Sequence, residues 1–259
     1  MKYEFQCISW HAGDKSPEDC ESDDEDESNK QYTIDIYGRT DNGKSICVHT
    51  EFNPYFFVEI PKLWNNNQLA FFTAALKRDI GKKLGHCIKS VKIVERKKFY
   101  GFTNHENFKF ARITFSTHNA FKRASYILKK PLQTSVGRIN FQMYESNLDP
   151  MLRFCHIQEI KLAGWVGILG EECDEVESTT YCDTEIQVRN WRDIKSEPID
   201  KVAPIIQASF DIETYSHDGG FPDPNEEKCP CIQIATTLQR SGEAEPYKRH
   251  LISLGTCDP

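Results

Sequence analysis

Asp211 and Glu213 form the acidic pair in this sequence whose residue types and spacing are best suited to chemistry. One residue separates them, and they lie at the end of a largely apolar run, 203–212, which is predicted to be a strand. Side chains two residues apart on a strand point to the same side, so both carboxylates are expected on one face, while Phe210 and Ile212 face the core. Two neighbouring carboxylates repel each other unless a cation lies between them, and Mg²⁺ or Mn²⁺ prefers such oxygen ligands. The pair therefore predicts a catalytic metal site, suited to the cleavage of a phosphodiester by two divalent ions.

The context of this pair distinguishes it from other acids with the same spacing. That spacing recurs at three places where only solvated acids are expected: Asp19 with Glu21, Asp23 with Glu25, and Asp183 with Glu185. The pair at 211 and 213 is followed by a loop rich in glycine and proline, 219–224, and then by a second apolar strand, 231–235. A strand with paired acids, a loop and a second strand is typical of the beginning of a ribonuclease-H-like nuclease.

The charge distribution points to a polyanionic partner. The net charge of the 259 residues is −7, but residues 14–28 hold nine acids and one lysine, whereas residues 77–138 hold sixteen lysines or arginines and three acids. A basic middle within an acidic chain suggests a surface that faces DNA or another polyanion. A set of solvated helix faces explains the same charges, and charge alone leaves both readings open.

Five basic residues of this stretch are candidates for nucleic-acid binding: Arg96, Lys97, Lys98, Lys109 and Arg112. Aromatic residues alternate with them, and stacking on such rings contributes about 1–3 kcal/mol per base in single-stranded complexes. For Phe99, Tyr100 and Phe102 a place in the core is the favoured interpretation. The lysines and arginines would then contact phosphates, which gives affinity without reading sequence.

Hydrophobic periodicity predicts the elements that must carry these residues. A strand begins at Tyr3 and leads into an acidic stretch, 13–31, that is too poor in apolar residues to pack and is expected to be a disordered loop. Strands are predicted at 32–37, from 46, at 55–60, from 88, at 110–115, at 165–169 and near 186–188. Helices are predicted around Leu69 to Ile80 behind an asparagine cap, after Thr117, and after Asp149-Pro150. A domain boundary is predicted near residue 203, where a polar stretch gives way to an apolar, strand-like sequence.

Several blocks together resemble the family B DNA polymerases, of the eukaryotic delta and large DNA virus type. Phe210-Asp211-Ile212-Glu213, Gly220-Phe221-Pro222 and Ile232-Gln233-Ile234-Ala235 resemble the family's first exonuclease motif. Phe99-Tyr100-Gly101-Phe102 and Tyr144-Glu145-Ser146-Asn147 are similar to its amino-terminal domain, as are Leu152-Arg153-Phe154 and Gly164-Trp165. The blocks span the chain from about residue 32 to its end, and their order is more specific than any one of them.

The resemblance implies an α+β fold in three parts. Residues 1–31 would be a strand plus the acidic loop, residues 32–202 the mixed amino-terminal polymerase domain, and residues 203–259 the first strands of an incomplete ribonuclease-H-like 3′–5′ exonuclease domain. Asp211 and Glu213 match the family's catalytic metal-binding acids. Two further aspartates belong to later motifs, and the polymerase carboxylates lie further on still. Neither set is in these 259 residues.

The resemblance also implies a role and partners. The expected role is DNA replication with proofreading, with Mg²⁺ or Mn²⁺ as cofactor, single-stranded DNA or a primer–template as partner, and the nucleus or a viral replication site as location. The remainder of the polymerase chain would be a second partner. The chain is expected to be a fragment or one piece of a split polymerase gene, inactive by itself.

Two other classes of function remain open. A non-catalytic nucleic-acid-binding or assembly module would keep the amino-terminal fold, and a stand-alone metal-dependent nuclease would need more carboxylates than this sequence supplies near the pair. The sequence has no apolar run of about 18 residues, and it has no P-loop or dinucleotide-binding glycine pattern. It also has no Cys-x-x-Cys or His-Glu-x-x-His pattern, so no zinc site is expected, and the ten scattered cysteines favour a reducing, intracellular compartment.

Overall fold

The computed structural model describes residues 2–16, 29–99, 101–135, 137–173 and 178–255. Most of the predicted acidic loop, 17–28, therefore lies outside the described residues, as does Tyr100. Strands dominate the fold and helices are few, which confirms the mixed α+β class. None of the described helices is long and apolar enough to span a membrane.

Helices are interspersed among the strands along the chain. The strands are β1 (Lys2–Lys15), β2 (Gln31–Thr40), β3 (Ser45–Glu51), β4 (Tyr55–Glu59), β5 (Ile88–Lys97), β6 (Asn107–Phe115), β7 (Leu132–Thr134), β8 (Gly137–Ile139), β9 (Met143–Tyr144), β10 (Trp165–Leu169), β11 (Glu171–Glu172), β12 (Thr184–Val188), β13 (Ile194–Glu197), β14 (Ile206–Thr214), β15 (Cys231–Arg240) and β16 (Lys248–Ser253). The helices are α1 (Asn66–Ile80), α2 (Lys82–Gly85), α3 (His118–Ile127) and α4 (Pro150–Ile157), with a 3-10 turn at Trp191–Asp193.

A seven-stranded sheet with the order β11-β12-β3-β2-β1-β10-β13 forms the first layer. Its core brings together aromatic and branched side chains from β1 to β3, β10, β12 and β13 with α4, and Phe154 of that helix is fully buried against them. Alternation along β2 buries Ile34 and Ile36 as the sequence pattern predicts. This sheet joins residues more than 130 positions apart, because β12 pairs in parallel with β3.

A four-stranded sheet, β5-β6-β4-β9, builds a second core with α1 and α3. Helix α1 begins at the cap Asn65, whose side chain accepts from the Asn67 amide at 2.8 Å while Gln68 closes a capping box. Its apolar stripe, Leu69, Phe72 and Leu76, is buried as the three- and four-residue spacing predicts. Strands β5 and β6 of this sheet carry four of the five candidate basic residues, and Lys98 directly follows β5.

The start of the predicted acidic loop is ordered, which corrects the sequence interpretation of residues 13–15. Gly13 to Lys15 continue β1 and pair with the first residues of β2. The carboxylate of Asp14 accepts from the backbone amides of His118 at 2.7 Å and Asn119 at 2.9 Å, next to the Thr117 cap of α3. Composition predicted disorder there, but helix amides with no partner in their own helix hold this acid in place.

The last three strands form a separate antiparallel sheet, β14-β15-β16. The change of sheet falls between β13 and β14, where the chain crosses residues 198–205. We keep a domain boundary near residue 203 as a proposal, supported by this change of sheet.

Candidate active site

The acidic pair lies on β14, in the register that its spacing predicts. Asp211 pairs with Ala235 of β15 and Glu213 with Gln233, so both side chains leave the same face of the three-stranded sheet. A register irregularity follows directly, between Glu213 and Thr214. Bulges of this kind twist a strand and are frequent beside active sites. The strand thus presents two carboxylates side by side at the end of a hairpin.

The opposite face of this sheet is apolar but exposed, so the expectation that Phe210 and Ile212 face the core is wrong. Phe210 is 74% exposed and Ile212 is 51% exposed. Ile212 aligns with Ile234 and, across it, with Ile252, giving an apolar ladder over all three strands. The alternation was predicted correctly, but none of the described residues forms a layer over this face.

The carboxylates themselves are open to solvent and lightly constrained. Both residues are exposed, and one oxygen of Asp211 accepts from the backbone amide of Ile212 at 2.9 Å. Among the described residues, no third histidine, cysteine or acid joins the pair to make a three-ligand cluster. Two oxygen donors suit a hard divalent cation, but Mg²⁺ requires near-octahedral ligation and would keep most of its waters here.

Two of the predicted nucleic-acid-binding residues are exposed at the end of β5. Arg96 and Lys97 pair with Phe108 and Asn107 of β6, and both side chains reach solvent. Arg96 donates to the backbone oxygen of its neighbour Glu95 at 2.8 Å. These two cations are free to meet a phosphate backbone.

The other three predicted residues have partners within the chain. Lys98 donates to Glu59 Oε1 at 2.7 Å and its Nζ lies 4.1 Å from the centre of the Phe108 ring. The hydrogen bond to Glu59 raises the pKa of Lys98. Lys109 donates to the backbone oxygen of Trp64 at 3.2 Å.

Arg112 stacks on an aromatic ring of the chain. Its guanidinium carbon lies 3.9 Å from the centre of the Tyr55 ring, and Arg153 covers the same ring at 4.1 Å. The Nε of Arg112 is buried and makes no hydrogen bond to any residue that the structure describes. A contact between Arg112 and nucleic acid remains a prediction. The stacking of Arg112 on Tyr55 gives this arginine a structural role as well.

Aromatic residues near the end of β5 are exposed, which corrects their expected place in the core. Phe99 and Phe102 have essentially complete exposure, 106% and 96%. A cavity of about 350 Å³ opens beside Phe99. Its walls combine rings with basic residues at and just after the end of β5: Phe57, Phe99, Phe110 and Tyr144 with Arg96, Lys97 and Lys98, next to Glu145. These residues, 96–99 and 102, are called the β5–β6 tip, and they offer both flat apolar surface and positive charge.

A buried ionic network was missed by the sequence analysis, which expected Glu185 to be solvated. His49 Nδ1 lies 2.8 Å from Asp35 Oδ1, and His49 Nε2 lies 2.8 Å from Glu185 Oε1. Lys15 adds a third cationic contact, 2.7 Å from Asp35 Oδ2. Glu185 also accepts from the backbone amides of Thr179 and Thr180 at 2.9 and 3.0 Å.

Hydrogen bonds keep His49 and Asp35 charged although burial disfavours their charged forms. Burial disfavours the imidazolium of His49, but hydrogen bonds with Asp35, Cys47 and Glu185 outweigh it and raise the pKa of His49 to about 10. Burial likewise opposes the Asp35 carboxylate, yet His49 and Lys15 lower its pKa to about 2. With Asp35 and Glu185 buried, this network stabilises the sheet.

Comparison with known proteins connects these features to one family. Residues 141–259 match the sequence family described as DNA polymerase family B, exonuclease domain. The match begins well before β14, so it includes α4 and strands of the seven-stranded sheet.

Sequence relatives extend the similarity over the rest of the chain. A DNA polymerase of Acanthamoeba polyphaga mimivirus is 32% identical over all of this chain and 15% of its own length. A DNA polymerase of Paramecium bursaria Chlorella virus NY2A is 32% identical over 96% of this chain and 25% of its own. The DNA polymerase delta catalytic subunit of Mesocricetus auratus is 31% identical over 86% of this chain and 21% of its own. The chain thus spans a quarter or less of these relatives.

The fold agrees with the sequence relationship. The structure of the family B DNA polymerase from the hyperthermophilic archaeon Pyrobaculum calidifontis matches 97% of this chain and 27% of that chain. The TM-score is 0.61 at 15% identity, which is a similarity of fold. Residues 141–259 thus match the exonuclease domain family of the family B DNA polymerases, and the whole chain is similar to viral and eukaryotic DNA polymerases in sequence and to an archaeal family B polymerase in fold.

Proposed function

We propose that this chain contributes the amino-terminal region and the first exonuclease strands of a replicative DNA polymerase, with Asp211 and Glu213 as catalytic ligands of its 3′–5′ proofreading site. The single observation that carries the proposal is the placement of both acids on one face of β14, within the matched exonuclease family segment. The exposed apolar ladder on the other face supports it, because a ribonuclease-H-like sheet needs a further layer there. The remainder of the polymerase chain is the partner that would supply this layer.

The residues of the pair fit the metal chemistry of such a site. Asp211 and Glu213 would hold Mg²⁺ or Mn²⁺ through their carboxylate oxygens. A bound divalent ion supplies charge neutralisation at the scissile phosphate and lowers the pKa of an attacking water. The protein's own contribution is to keep two oxygen donors on the same side of a strand, directly before an irregularity that sets their direction. Further acids must come from outside the described neighbourhood of the pair.

Removal of nucleotides from a 3′ end tests this proposal. In the complete polymerase, Asp211→Asn or Glu213→Gln should lower the rate of 3′-terminal nucleotide removal at least about 100-fold, because loss of even an outer-shell metal partner costs 10–100-fold. Nucleotide addition should be unchanged, since it uses other carboxylates. The 259-residue chain alone should show no detectable removal, because two acids cannot fix two ions.

A matched control separates the pair from nearby negative charge. Glu227→Gln removes one exposed acid from the loop between β14 and β15 and should leave both activities unchanged. If the complete enzyme degrades 3′ ends normally after both substitutions at 211 and 213, the assignment is wrong. Robust cleavage by the 259-residue chain would contradict it as well and would favour a stand-alone nuclease.

A nucleic-acid-binding role for the β5–β6 tip is the second candidate function, favoured by the exposure of Phe99 and Phe102 beside Arg96 and Lys97. Bare rings next to exposed cations suit stacking with unpaired bases and attraction of phosphates. Single-stranded DNA or the template strand of a primer–template is the proposed ligand. This role fits a polymerase at a nuclear or viral replication site, and it also fits a non-catalytic module.

Fluorescence anisotropy with labelled single-stranded oligonucleotides measures this binding. Arg96→Ala with Lys97→Ala should weaken binding equally for all sequences and reduce its salt dependence, because fewer counterions are released. Phe99→Ala with Phe102→Ala should weaken binding with little change in salt dependence. Lys129→Ala with Lys130→Ala removes the same charge from another exposed site and serves as the control. Equal losses in the control and the Arg96 and Lys97 variant would show attraction to net charge only.

A further inference from the structure

The loop between β14 and β15 brings three chemically different side chains to one point. His217 Nδ1 lies 3.7 Å from Glu226 Oε2, and Cys229 Sγ lies 3.8 Å from each of those two atoms. The three potential ligand atoms therefore form a nearly equilateral triangle. Among the described residues, this is the cluster of histidine, cysteine and acidic side chains whose ligand atoms converge in this way.

The backbone holds this triangle together at the base of the loop. The Tyr215 amide donates to the oxygen of Pro230 at 3.0 Å, which joins the two ends of the loop. Two consecutive turns lie within the loop. In the first, the Glu226 amide donates to the oxygen of Asp223 at 3.1 Å, and in the second, the Cys229 amide donates to the oxygen of Glu226 at 3.0 Å. The three-residue step between Glu226 and Cys229 thereby places both side chains on the side where His217 lies.

Weak hydrogen bonds of the Cys229 sulfur account for two edges of the triangle, but not for the edge between His217 and Glu226. An N–H···O bond spans about 2.7–3.2 Å, and the nitrogen–oxygen separation of 3.7 Å exceeds it. A tetrahedral zinc ion binds sulfur at about 2.3 Å and nitrogen or oxygen at about 2.0–2.2 Å, which sets ligand atoms roughly 3.3–3.6 Å apart. The observed edges of 3.7 and 3.8 Å are slightly longer than this, so a small inward movement completes the site.

We propose that His217, Glu226 and Cys229 bind one divalent ion of the zinc class. Imidazole nitrogen, thiolate sulfur and carboxylate oxygen are the three ligand types that zinc takes in proteins. Binding releases the proton of the Cys229 thiol to solvent, so affinity rises with pH. The His217 and Glu226 side chains are 39% and 53% exposed, which leaves the fourth position to water or to a ligand from another segment. The ion would fix the loop that follows the strand of Asp211 and Glu213.

The common metal-binding sequence motifs do not describe this site. Its spacing, a histidine followed after eight residues by an acid and after two more by a cysteine, differs from the common paired-cysteine and paired-histidine patterns. The site depends on two turns that fold the loop back on itself. It is independent of the proposed exonuclease activity, because it shares no ligand with the acidic pair on β14.

Cobalt substitution tests the site in the full chain with the metal alone as probe. Co²⁺ added to the reduced protein should give a sulfur-to-cobalt charge-transfer band that saturates at one ion per chain and is displaced by Zn²⁺. Cys229→Ser should abolish the band. His217→Gln should weaken Co²⁺ binding roughly 10-fold or more, since even outer-shell changes have that effect. Zn²⁺ should also raise the melting temperature of the wild-type chain and not that of Cys229→Ser.

Two controls keep the outcome specific. Cys231→Ser removes the neighbouring exposed thiol, whose Sγ contacts the backbone oxygen of Gln233, and it should retain the band. Asp211→Asn with Glu213→Gln should retain it too, which separates this site from the acidic pair. Absence of the band in the wild-type chain, its survival in Cys229→Ser, or its equal loss in Cys231→Ser would overturn the proposal.

Discussion

At the scale of single residues, His49 gives the fold a defined pH dependence. The pKa of His49 is raised from 6.5 to about 10 in the folded chain, so its stabilisation is complete below pH 6.5 and is lost as the pH rises toward 10. The pKa of Asp35 is lowered from 3.8 to about 2, so its stabilisation is complete above pH 3.8 and is lost as the pH falls toward 2. His49 and Asp35 therefore both contribute fully between about pH 4 and pH 6.5.

Urea unfolding across this pH range measures the contribution. His49→Gln leaves two buried carboxylates without their central cation and should lower the free energy of unfolding by roughly 3–5 kcal/mol near pH 6. The difference from wild type should shrink as the pH rises from 6.5 toward 10. His156→Gln changes an exposed histidine and should have no such effect. A His49→Gln difference that stays constant from pH 6 to pH 10 would contradict a charged His49.

Arg112 should contribute to stability through the Tyr55 ring. Arg112→Ala removes a stacked guanidinium and its buried methylene groups, so the free energy of unfolding should fall by roughly 1–3 kcal/mol. Lys97→Ala changes an exposed cation of the same sheet and should stay within about 0.5 kcal/mol of wild type. Urea unfolding of the two variants decides the matter, and equal effects would assign Arg112 to the solvated surface.

Residue-level prediction succeeded where spacing alone decides the outcome. The shared face of Asp211 and Glu213 follows from strand geometry, and the structure has it. The burial of Glu185 depends on His49, which lies 136 positions away, and the partner of Lys98 lies 39 positions away. No local pattern contains such partners, so these side chains could not be assigned from sequence.

At the scale of elements, β1 packs tightly against Gly38 of β2. A Cβ there would overlap the ring of Phe5 and the backbone oxygen of Gln6, and Phe5 is fully buried. Gly38→Ala should therefore lower the free energy of unfolding by about 1–3 kcal/mol through overpacking. Gly13, on β1 of the same sheet, has open space at its Cβ position and provides the matched control.

Chemical denaturation of the two glycine variants gives the comparison. Gly13→Ala should be neutral or slightly stabilising, because alanine loses less backbone entropy than glycine on folding. If Gly38→Ala is as stable as Gly13→Ala, β1 and β2 do not approach each other as closely as described.

Element boundaries followed local signals wherever caps or alternation were strong. The caps Asn65, Thr117 and Asp149 begin α1, α3 and α4 as predicted, because side-chain oxygens there accept from amides of the first turn. The two- and three-residue strands β7, β8, β9 and β11 were not predicted, since so few residues carry no periodicity. They exist because a neighbouring strand offers hydrogen-bonding partners.

At the scale of the whole molecule, the arrangement of sheets was beyond local reasoning. The sequence predicted most strands, but not that β1 lies between β2 and β10, or that β12 pairs with β3. These pairings join the two ends of the amino-terminal region and depend on long-range burial. A change of sheet falls between β13 and β14, near the boundary predicted at residue 203, and the domain boundary itself stays a prediction.

The last sheet should be the least stable part of the molecule. Strands β14 to β16 expose large apolar side chains such as Phe210, Leu251 and Ile252, whereas β2 and β3 lie in a closed core. Few buried contacts make local opening easy, so amides of β14 to β16 should exchange with deuterium faster than those of β2, β3 and β6. Hydrogen exchange followed by mass spectrometry on the full chain resolves these segments.

Binding of the remaining exonuclease layer should slow exchange in β14 to β16 and leave β2 and β3 unchanged. Equal protection of all these strands in the chain alone would mean that the three-stranded sheet is stable without a covering layer, which would contradict its proposed dependence on the rest of the polymerase.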